Sequence, residues 1–307
     1  MGSGTFAIPS FEGVLEAGHE VLALVTQPDK ASGRGRERKP PPTKLIAEAR
    51  GIPVLQPRRI REPECEAALR ELRPEAQVVV AYGQILPKGV IEIPPLGTVN
   101  VHGSLLPRLR GAAPIQWAIE QGLQETGVTT MLIDEGLDTG PILLARRLKV
   151  EPEETASELE PRLARLGAEV LLDTLSGLAA GTIRPTPQDP AQASHAPLIH
   201  KEDGRLDWTR RADTLARRVR AFHPWPGTQT RLAGRSLRVL RARVHEGQGR
   251  GGEPGTVLNV DRGGVLVACG EGTALLLLEV QPESRRAMDA SSFAAGARLH
   301  AGARFEV

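Results

Sequence analysis

Apolar residues along this chain fall into two regimes. In the first, short apolar runs at Val21–Val25, Gln77–Tyr82, Gly97–His102 and Val128–Ile133 predict strands, and the stretches Phe11–Ala17, Pro42–Ala49, Pro63–Leu72, Ala113–Gln121 and Thr155–Ala179 predict helices. Strands separated by helices re-enter a sheet in the same direction, so the pattern implies an α/β unit with a mainly parallel sheet. The last helix has a start signal of its own. Thr155 followed three residues on by Glu158 is a capping-box pattern, and Leu159, Leu163, Leu166, Val170 and Leu171 then recur at helical spacing.

The second regime begins after an interruption. From Gly181 to Ala196 the periodicity stops and Pro, Gln, Asp, Ser and Thr accumulate, the composition of an extended connector. One more helix is predicted at about Arg210–Phe222. Apolar segments around Leu237–Val244, Gly255–Val260, Gly264–Ala268 and Ala274–Val280 follow, separated by Gly-rich turns. Short strands punctuated in this way read as a small β-barrel or sandwich. The expected division of the 307 residues is therefore an α/β domain at 1–182, a linker at 183–200 and a β-barrel domain at 201–307.

Charge sharpens the second half of this picture. The net charge is only +2, but residues 201–307 carry 18 basic against 12 acidic side chains, while residues 1–200 carry 21 against 25. The first part still holds a basic cluster from Lys30 to Lys44. Such clustering suits a polyanion and makes an oligonucleotide-binding (OB-like) barrel attractive, although on charge alone a solvated surface accounts for it equally well. No apolar run approaches the ~20 residues of a membrane-spanning helix, and the start of the chain lacks a basic and apolar leader. A cytoplasmic protein that makes no membrane contact is expected. Cys65 and Cys269 form no C-x-x-C pair and read as packing residues. The 7 histidines show no ligand spacing, so the chemistry is expected to use no metal.

Candidate chemistry concentrates in Thr98-Val-Asn-Val-His-Gly-Ser-Leu-Leu-Pro107. On a strand, Asn100 and His102 project from the same face. At the carboxyl end of a parallel strand they would line the crevice where open α/β sheets bind ligands. Asp134-Glu-Gly-Leu-Asp-Thr-Gly-Pro141 is a turn-rich loop after another strand that could bring Asp138 to the same rim. Asn, His and Asp without a matching Ser or Cys nucleophile point to a reaction in which the substrate supplies the nucleophile. Ser104 has no G-x-S-x-G elbow around it and is discounted as a nucleophile. Acyl transfer to an amine fits: Asn100 would donate to the tetrahedral oxyanion, His102 would donate to it or relay a proton, and Asp138 would orient His102 and favour its charged form.

These residues carry a family resemblance. Asn100-Val-His-Gly-Ser-Leu-Leu-Pro-Arg-Leu-Arg-Gly-Ala-Ala-Pro-Ile-Gln116, Glu125-Thr-Gly-Val-Thr129 and Asp134–Gly140 resemble the methionyl-tRNA formyltransferases, as do Thr26-Gln-Pro-Asp-Lys30, Gly33-Arg-Gly35, Val80–Pro87, Arg220-Ala-Phe-His-Pro-Trp-Pro226 and Gln281–Met288. The resemblance extends over almost the whole chain. It implies a Rossmann-like formyl-transfer domain with an OB-like tRNA-binding barrel behind it, Asn100, His102 and Asp138 as the catalytic trio, and 10-formyltetrahydrofolate as donor. It implies that Ser104, Leu105, Leu106 and Pro107 border the folate pocket. The loop Asp29–Lys44 would reach the acceptor stem of methionyl initiator tRNA through Arg34 first, with Arg36 and Lys39 beside it. Such a Gly-flanked basic loop suits phosphate contact. The enzyme is expected to be a monomer.

Two departures bear on these expectations. Members of the family open with a short apolar strand leading into the turn that Gly2-Ser-Gly-Thr-Phe6 resembles, whereas Met1 stands almost on that turn. The first strand is expected to be missing, the neighbouring strands exposed and the folate site weakened, with the true start several codons upstream. Leu109 stands where relatives usually carry an aromatic residue, which bears on packing near the loop. The competing readings are a formyltransferase acting on glycinamide ribonucleotide or an amino-sugar nucleotide, and a nucleic-acid-binding protein without catalysis.

Overall fold

The computed structural model describes residues 1–32, 37–246 and 252–306. The chain folds as two compact units. The first comprises Met1–Pro114, Glu125–Lys149 and Glu160–Pro197, and the second Ile115–Gln124, Val150–Leu159 and Leu198–Val307.

In the first unit, β1 (Leu24–Val25) is followed by a hairpin of β2 (Lys30–Ser32) and β3 (Glu37–Lys39), then β4 (Val54–Leu55), β5 (Gln77–Val79), β6 (Thr98–His102), β7 (Glu125–Leu132) and β8 (Ile142–Lys149). β1 pairs with β4 and β5 with β6 in parallel, while β7 and β8 complete the sheet antiparallel in the order β5-β6-β7-β8. The parallel character expected from the alternating pattern thus holds in the strands that lead to the site, and the far edge is antiparallel. That edge was illegible in part: β8 was not expected, because Arg146, Arg147 and Lys149 interrupt its apolar alternation.

Met1 and Gly2 join the two sheet pieces. Gly2 N–H donates to Val25 O (3.0 Å) and Val80 N–H to Met1 O (2.9 Å), and Gly2 pairs in parallel with Val80. The Met1 amine donates to Val78 O, and its burial pushes its pKa down to about 5. Beyond these two residues lies a cavity of about 440 Å³ lined by Leu22, Leu24, Leu69, Leu72, Val78 and Leu175 among others.

The helices are α1 (Ile8–Glu16), α2 (Pro42–Ala49), α3 (Pro63–Glu71), α4 (Lys88–Ile91), α5 (Pro114–Glu120) and α6 (Ala156–Ala179). The start of α6 follows the capping pattern only halfway. Glu158 Oε2 accepts from Thr155 N–H (2.9 Å), but the Thr155 hydroxyl donates to the same carboxylate (2.8 Å) instead of accepting from the helix backbone. These bonds, the backbone one first, hold the Glu158 carboxyl below its usual range. Further along, α6 lies against one face of β6 and β7. A Cβ on Gly167 would stand only 3.0 Å from Val101 Cγ1 and 3.7 Å from Val128 Cγ1, so glycine permits this close approach. Thr130 and Thr174 share a buried hydroxyl–hydroxyl bond (2.7 Å) at the same contact.

In the second unit, α7 (Ala212–Ala221) precedes an antiparallel sheet of β9 (Thr228–Leu232), β10 (Arg235–Val244), β11 (Val257–Asp261), β12 (Gly264–Ala268), β13 (Ala274–Pro282), β14 (Met288–Asp289) and β15 (Phe305–Glu306), with α8 (Ala290–Ala297) between the last two strands. The order is β11-β12-β13-β10-β9-β15, with β14 on β13, and a bridge from Thr256 to Arg304 joins the two ends of the curled sheet. A bulge between Val239 and Arg241 resets the alternation of β10. Leu237, Val239 and Ala242 therefore point into the core, and Arg241 is turned out to solvent. The core gathers around Trp208, Leu215, Leu275, Leu277 and Phe305, and Trp208 Nε1 donates to the buried Thr230 Oγ1 (3.0 Å). On the other flank of α7 the Arg218–Glu120 pair (3.2 Å) is almost wholly buried, with the Arg218 guanidinium 5.0 Å from the centre of the Phe222 ring.

Candidate active site

The site is built on β6. Val99 and Val101 are buried on the face that meets α6, so the period of two turns Asn100 and His102 to the opposite face. Asn100 stands across from Met131 and His102 across from Thr129 on β7, which places all four side chains on one side of the sheet.

After His102 the chain turns sharply, and Thr129 secures the turn. This fully buried threonine accepts from Leu106 N–H (3.0 Å) and donates to Ser104 O (2.7 Å), while Ser104 Oγ donates to Arg108 O (2.6 Å). The loop then returns over the imidazole. Leu109 is buried in the left-handed region (φ 59°), its N–H donates to Ser194 Oγ (2.9 Å), and its carbonyl faces His102 Nε2 at 2.9 Å. Leu109 thus packs as core. With Nε2–H donating to Leu109 O, the other ring nitrogen of His102 is directed at the carboxylate of Asp138, where Nδ1 and Oδ2 are 3.7 Å apart.

Asp138 is held from three directions. Its backbone is left-handed (φ 53°), Gly111 N–H donates to its Oδ2 (2.8 Å), and its own carbonyl accepts from Gln188 Nε2 (2.9 Å). Gly111 has no room for a side chain: φ is 121° and a Cβ would stand 2.6 Å from Ala196 O. The structure therefore brings His102 and Asp138 into direct opposition, with Asn100 two residues back along the same strand face. Asn100 is half-buried, and among the described residues none hydrogen-bonds its side-chain amide. The arrangement offers an unengaged amide beside an imidazole whose second nitrogen looks at a carboxylate, which is equipment for stabilising an oxyanion and moving a proton.

Known proteins carry the same two-part organisation. A family model described as formyl transferase matches residues 1–175, and one described as formyl transferase, C-terminal domain, matches residues 198–298. A methionyl-tRNA formyltransferase of Myxococcus xanthus (strain DK1622) is 51% identical over 302 residues, which cover 98% of this chain and 95% of the relative. The chain belongs to the methionyl-tRNA formyltransferase family. Among solved structures, WlaRD, a sugar 3N-formyl transferase, superposes with a TM-score of 0.66 at 16% identity over 93% of this chain and 97% of its own. HypX from Aquifex aeolicus in complex with tetrahydrofolic acid gives 0.57 at 20% identity over 81% of this chain, which spans 43% of the HypX chain. Both likenesses concern the fold.

Within this member of the formyltransferase family, the other expected site residues are distributed as follows. Of the expected folate loop, Ser104 and Leu106 are buried with their polar groups engaged, whereas Leu105 and Pro107 remain partly accessible. Arg34 and Arg36 lie outside the described residues. Lys39 is exposed on β3, paired in register with Lys30. The base of that hairpin is clasped by Asp29, which accepts from Lys44 Nζ (3.0 and 3.1 Å) and Gln56 Nε2 (2.7 Å). The Gln56 bond, then that of Lys44, holds the Asp29 carboxyl below its usual range.

Sequence reasoning missed the contribution of residues 186–196. Read as a connector, this segment in fact pairs with the first unit: Thr186 exchanges two backbone bonds with Ile142 (2.8 Å each), and Arg110 N–H and Ala196 N–H bond Ser194 O and Arg110 O at 2.8 and 2.7 Å. No local signal marks this pairing, because its partners are far away along the chain.

Proposed function

We propose that this chain transfers the formyl group of 10-formyltetrahydrofolate to the α-amino group of methionyl initiator tRNA, for translation initiation, and that Asn100, His102 and Asp138 carry the chemistry. The observation that supports it most is the opposition of His102 and Asp138 beside an unengaged Asn100, in a chain whose relatives at about half identity over its full length are methionyl-tRNA formyltransferases.

The amine attacks the formyl carbon, forming a C–N bond and a tetrahedral oxyanion. The Asn100 amide donates to that oxygen, an effect of about 3–4 kcal/mol at comparable sites. The attacking nitrogen gives up a proton, and collapse of the intermediate breaks the bond to N10 of the folate, which takes a proton. His102 Nδ1 carries the proton between the two nitrogens, because Nε2 is committed to Leu109 O. While the proton resides on Nδ1, the positive ring faces the Asp138 carboxylate. The donor lies against the loop Ser104–Pro107, where Leu105 and Pro107 offer apolar surface. Arg34, Arg36 and Lys39 take the acceptor-stem phosphates, and exposed Arg231, Arg235, Arg241, Arg243 and Arg262 of the second unit add backbone contacts that position the tRNA without reading its sequence. No helix is long and apolar enough to cross a membrane among the described residues, and the reading includes a cytoplasmic monomer.

The test is formyl transfer to methionyl initiator tRNA, with uncharged tRNA, glycinamide ribonucleotide and an amino-sugar nucleotide as alternative acceptors and N100A as control. Transfer to methionyl-tRNA alone, lost in N100A, is the expected result. Transfer to either small acceptor would overturn the assigned substrate, and an unimpaired N100A would overturn the assigned site. Light scattering during gel filtration checks the monomer.

A further inference from the structure

Gln188 stands at a junction that the proposed trio does not include. Its Oε1 accepts twice from the Arg110 guanidinium, from Nε at 3.0 Å and Nη2 at 2.7 Å. Its Nε2 donates to the carbonyls of Asp138 (2.9 Å) and Gly140 (2.7 Å), and lies 3.9 Å from the sulfur of Met131, the residue paired with Asn100 across the sheet. One amide thus ties the loop that bears Asp138 to a buried arginine immediately before Gly111, the residue that hydrogen-bonds the Asp138 carboxylate.

We infer that Gln188 is a positioning residue for formyl transfer, an amide clamp that fixes Asp138 opposite His102. The inference rests on the catalytic reading of Asp138 given above. Asp138 occupies a backbone conformation that side-chain-bearing residues adopt at a cost of about 1–3 kcal/mol, and such a residue stays there only when its surroundings over-determine it. Gln188 supplies that determination on the backbone side, as Gly111 does on the carboxylate side. The two halves of the amide are coupled. Arg110 is 8% exposed, and among the described residues no carboxylate forms an ion pair with it, so its charge acts on Gln188 Oε1. Polarisation of the amide by that cation strengthens both Nε2–H donors, since hydrogen bonds in series reinforce one another in a low-dielectric setting. The outcome is a rigid chain from Arg110 through Gln188 to Asp138, and the His102–Asp138 distance of 3.7 Å is set at its end.

The substitution Gln188→Glu separates this role from general support. A carboxylate keeps both acceptor contacts to Arg110, adding an ion pair, but has no N–H for the Asp138 and Gly140 carbonyls. Steady-state kinetics of the full chain with both substrates, together with thermal unfolding, should show Q188E and Q188A with kcat reduced about 10- to 100-fold, the size expected when a reacting group is misplaced by around 1 Å. KM for the folate and the tRNA should stay within about twofold, because neither substrate is bound by the clamp, and Q188E, which keeps its anchor to Arg110, should unfold no earlier than Q188A. In a D138N background, Q188A should cost nothing further, since the clamp then has no catalytic carboxylate to place. Wild-type kcat in Q188E, or an undiminished effect of Q188A in the D138N background, would overturn the inference while leaving the trio in place. A D138N enzyme as fast as the parent would instead remove the catalytic reading on which it rests. Should Q188A fail to fold, Q188E decides the matter, because its anchor to Arg110 is intact.

Discussion

Thr129→Val is the sharpest test of how the turn after His102 is held. Valine matches threonine in shape and suits a strand, so neither a cavity nor a propensity loss accompanies the change. What is removed is one hydroxyl that accepts from Leu106 N–H and donates to Ser104 O, both belonging to residues that are at least nine-tenths buried. Each stranded backbone group loses its partner without gaining water, a cost of about 1–3 kcal/mol apiece. The expected destabilisation is therefore about 2–6 kcal/mol. Thr129→Ser keeps the hydroxyl and loses one methyl, which costs about 0.5–1.5 kcal/mol by comparison with Ile→Val changes. Urea unfolding at constant m-value reports both numbers, and formyl-transfer kinetics with varied 10-formyltetrahydrofolate report the loop, so T129V should also raise KM for the donor. Equal stability losses in T129V and T129S would refute the reasoning, because they would show that the two bonds hold nothing.

Three further outcomes are expected. Glu120→Ala strands the nearly buried Arg218 and should cost about 3–5 kcal/mol in urea unfolding, the usual penalty for leaving a buried charge unpaired; a loss under 1 kcal/mol would mean that water reaches the guanidinium freely. The Met1 amine has a folded-state pKa of about 5 against an ordinary 8.0. Between those values the unfolded chain binds a proton that the folded chain does not, so stability rises with pH through this window. Unfolding free energy should be about 2 kcal/mol greater at pH 8 than at pH 6 on account of this group, and acetylation of the amine should abolish that part of the slope. Lys39→Ala should weaken methionyl-tRNA binding and lower the slope of log affinity against log salt by about one, whereas an unchanged slope would place Lys39 away from phosphate.

Much of the candidate site was legible because its information is local. Asn100 and His102 share a face through the two-residue period of one strand, and Asp138 sits in a loop whose turn residues are contiguous. The helix at Ala156–Ala179 was readable from Thr155 and the apolar spacing that follows. Hairpin β2–β3 and strand β8 were not, since short or charge-bearing strands owe their existence to the neighbours they pair with and carry little pattern of their own.

By itself the amino-acid sequence determined the succession of α/β and β-rich regions, the face on which Asn100 and His102 lie, and the family to which the chain belongs. Only the tertiary structure decided which nitrogen of His102 is committed to Leu109 O and which faces Asp138, and that residues 186–196 pair with the first unit instead of merely linking domains. Gln188 and Ser194 are separated from their partners Arg110 and Leu109 by 78 and 85 positions. Hydrogen bonds across such separations depend on the packing of the whole unit, and no residue pattern read along the chain encodes them.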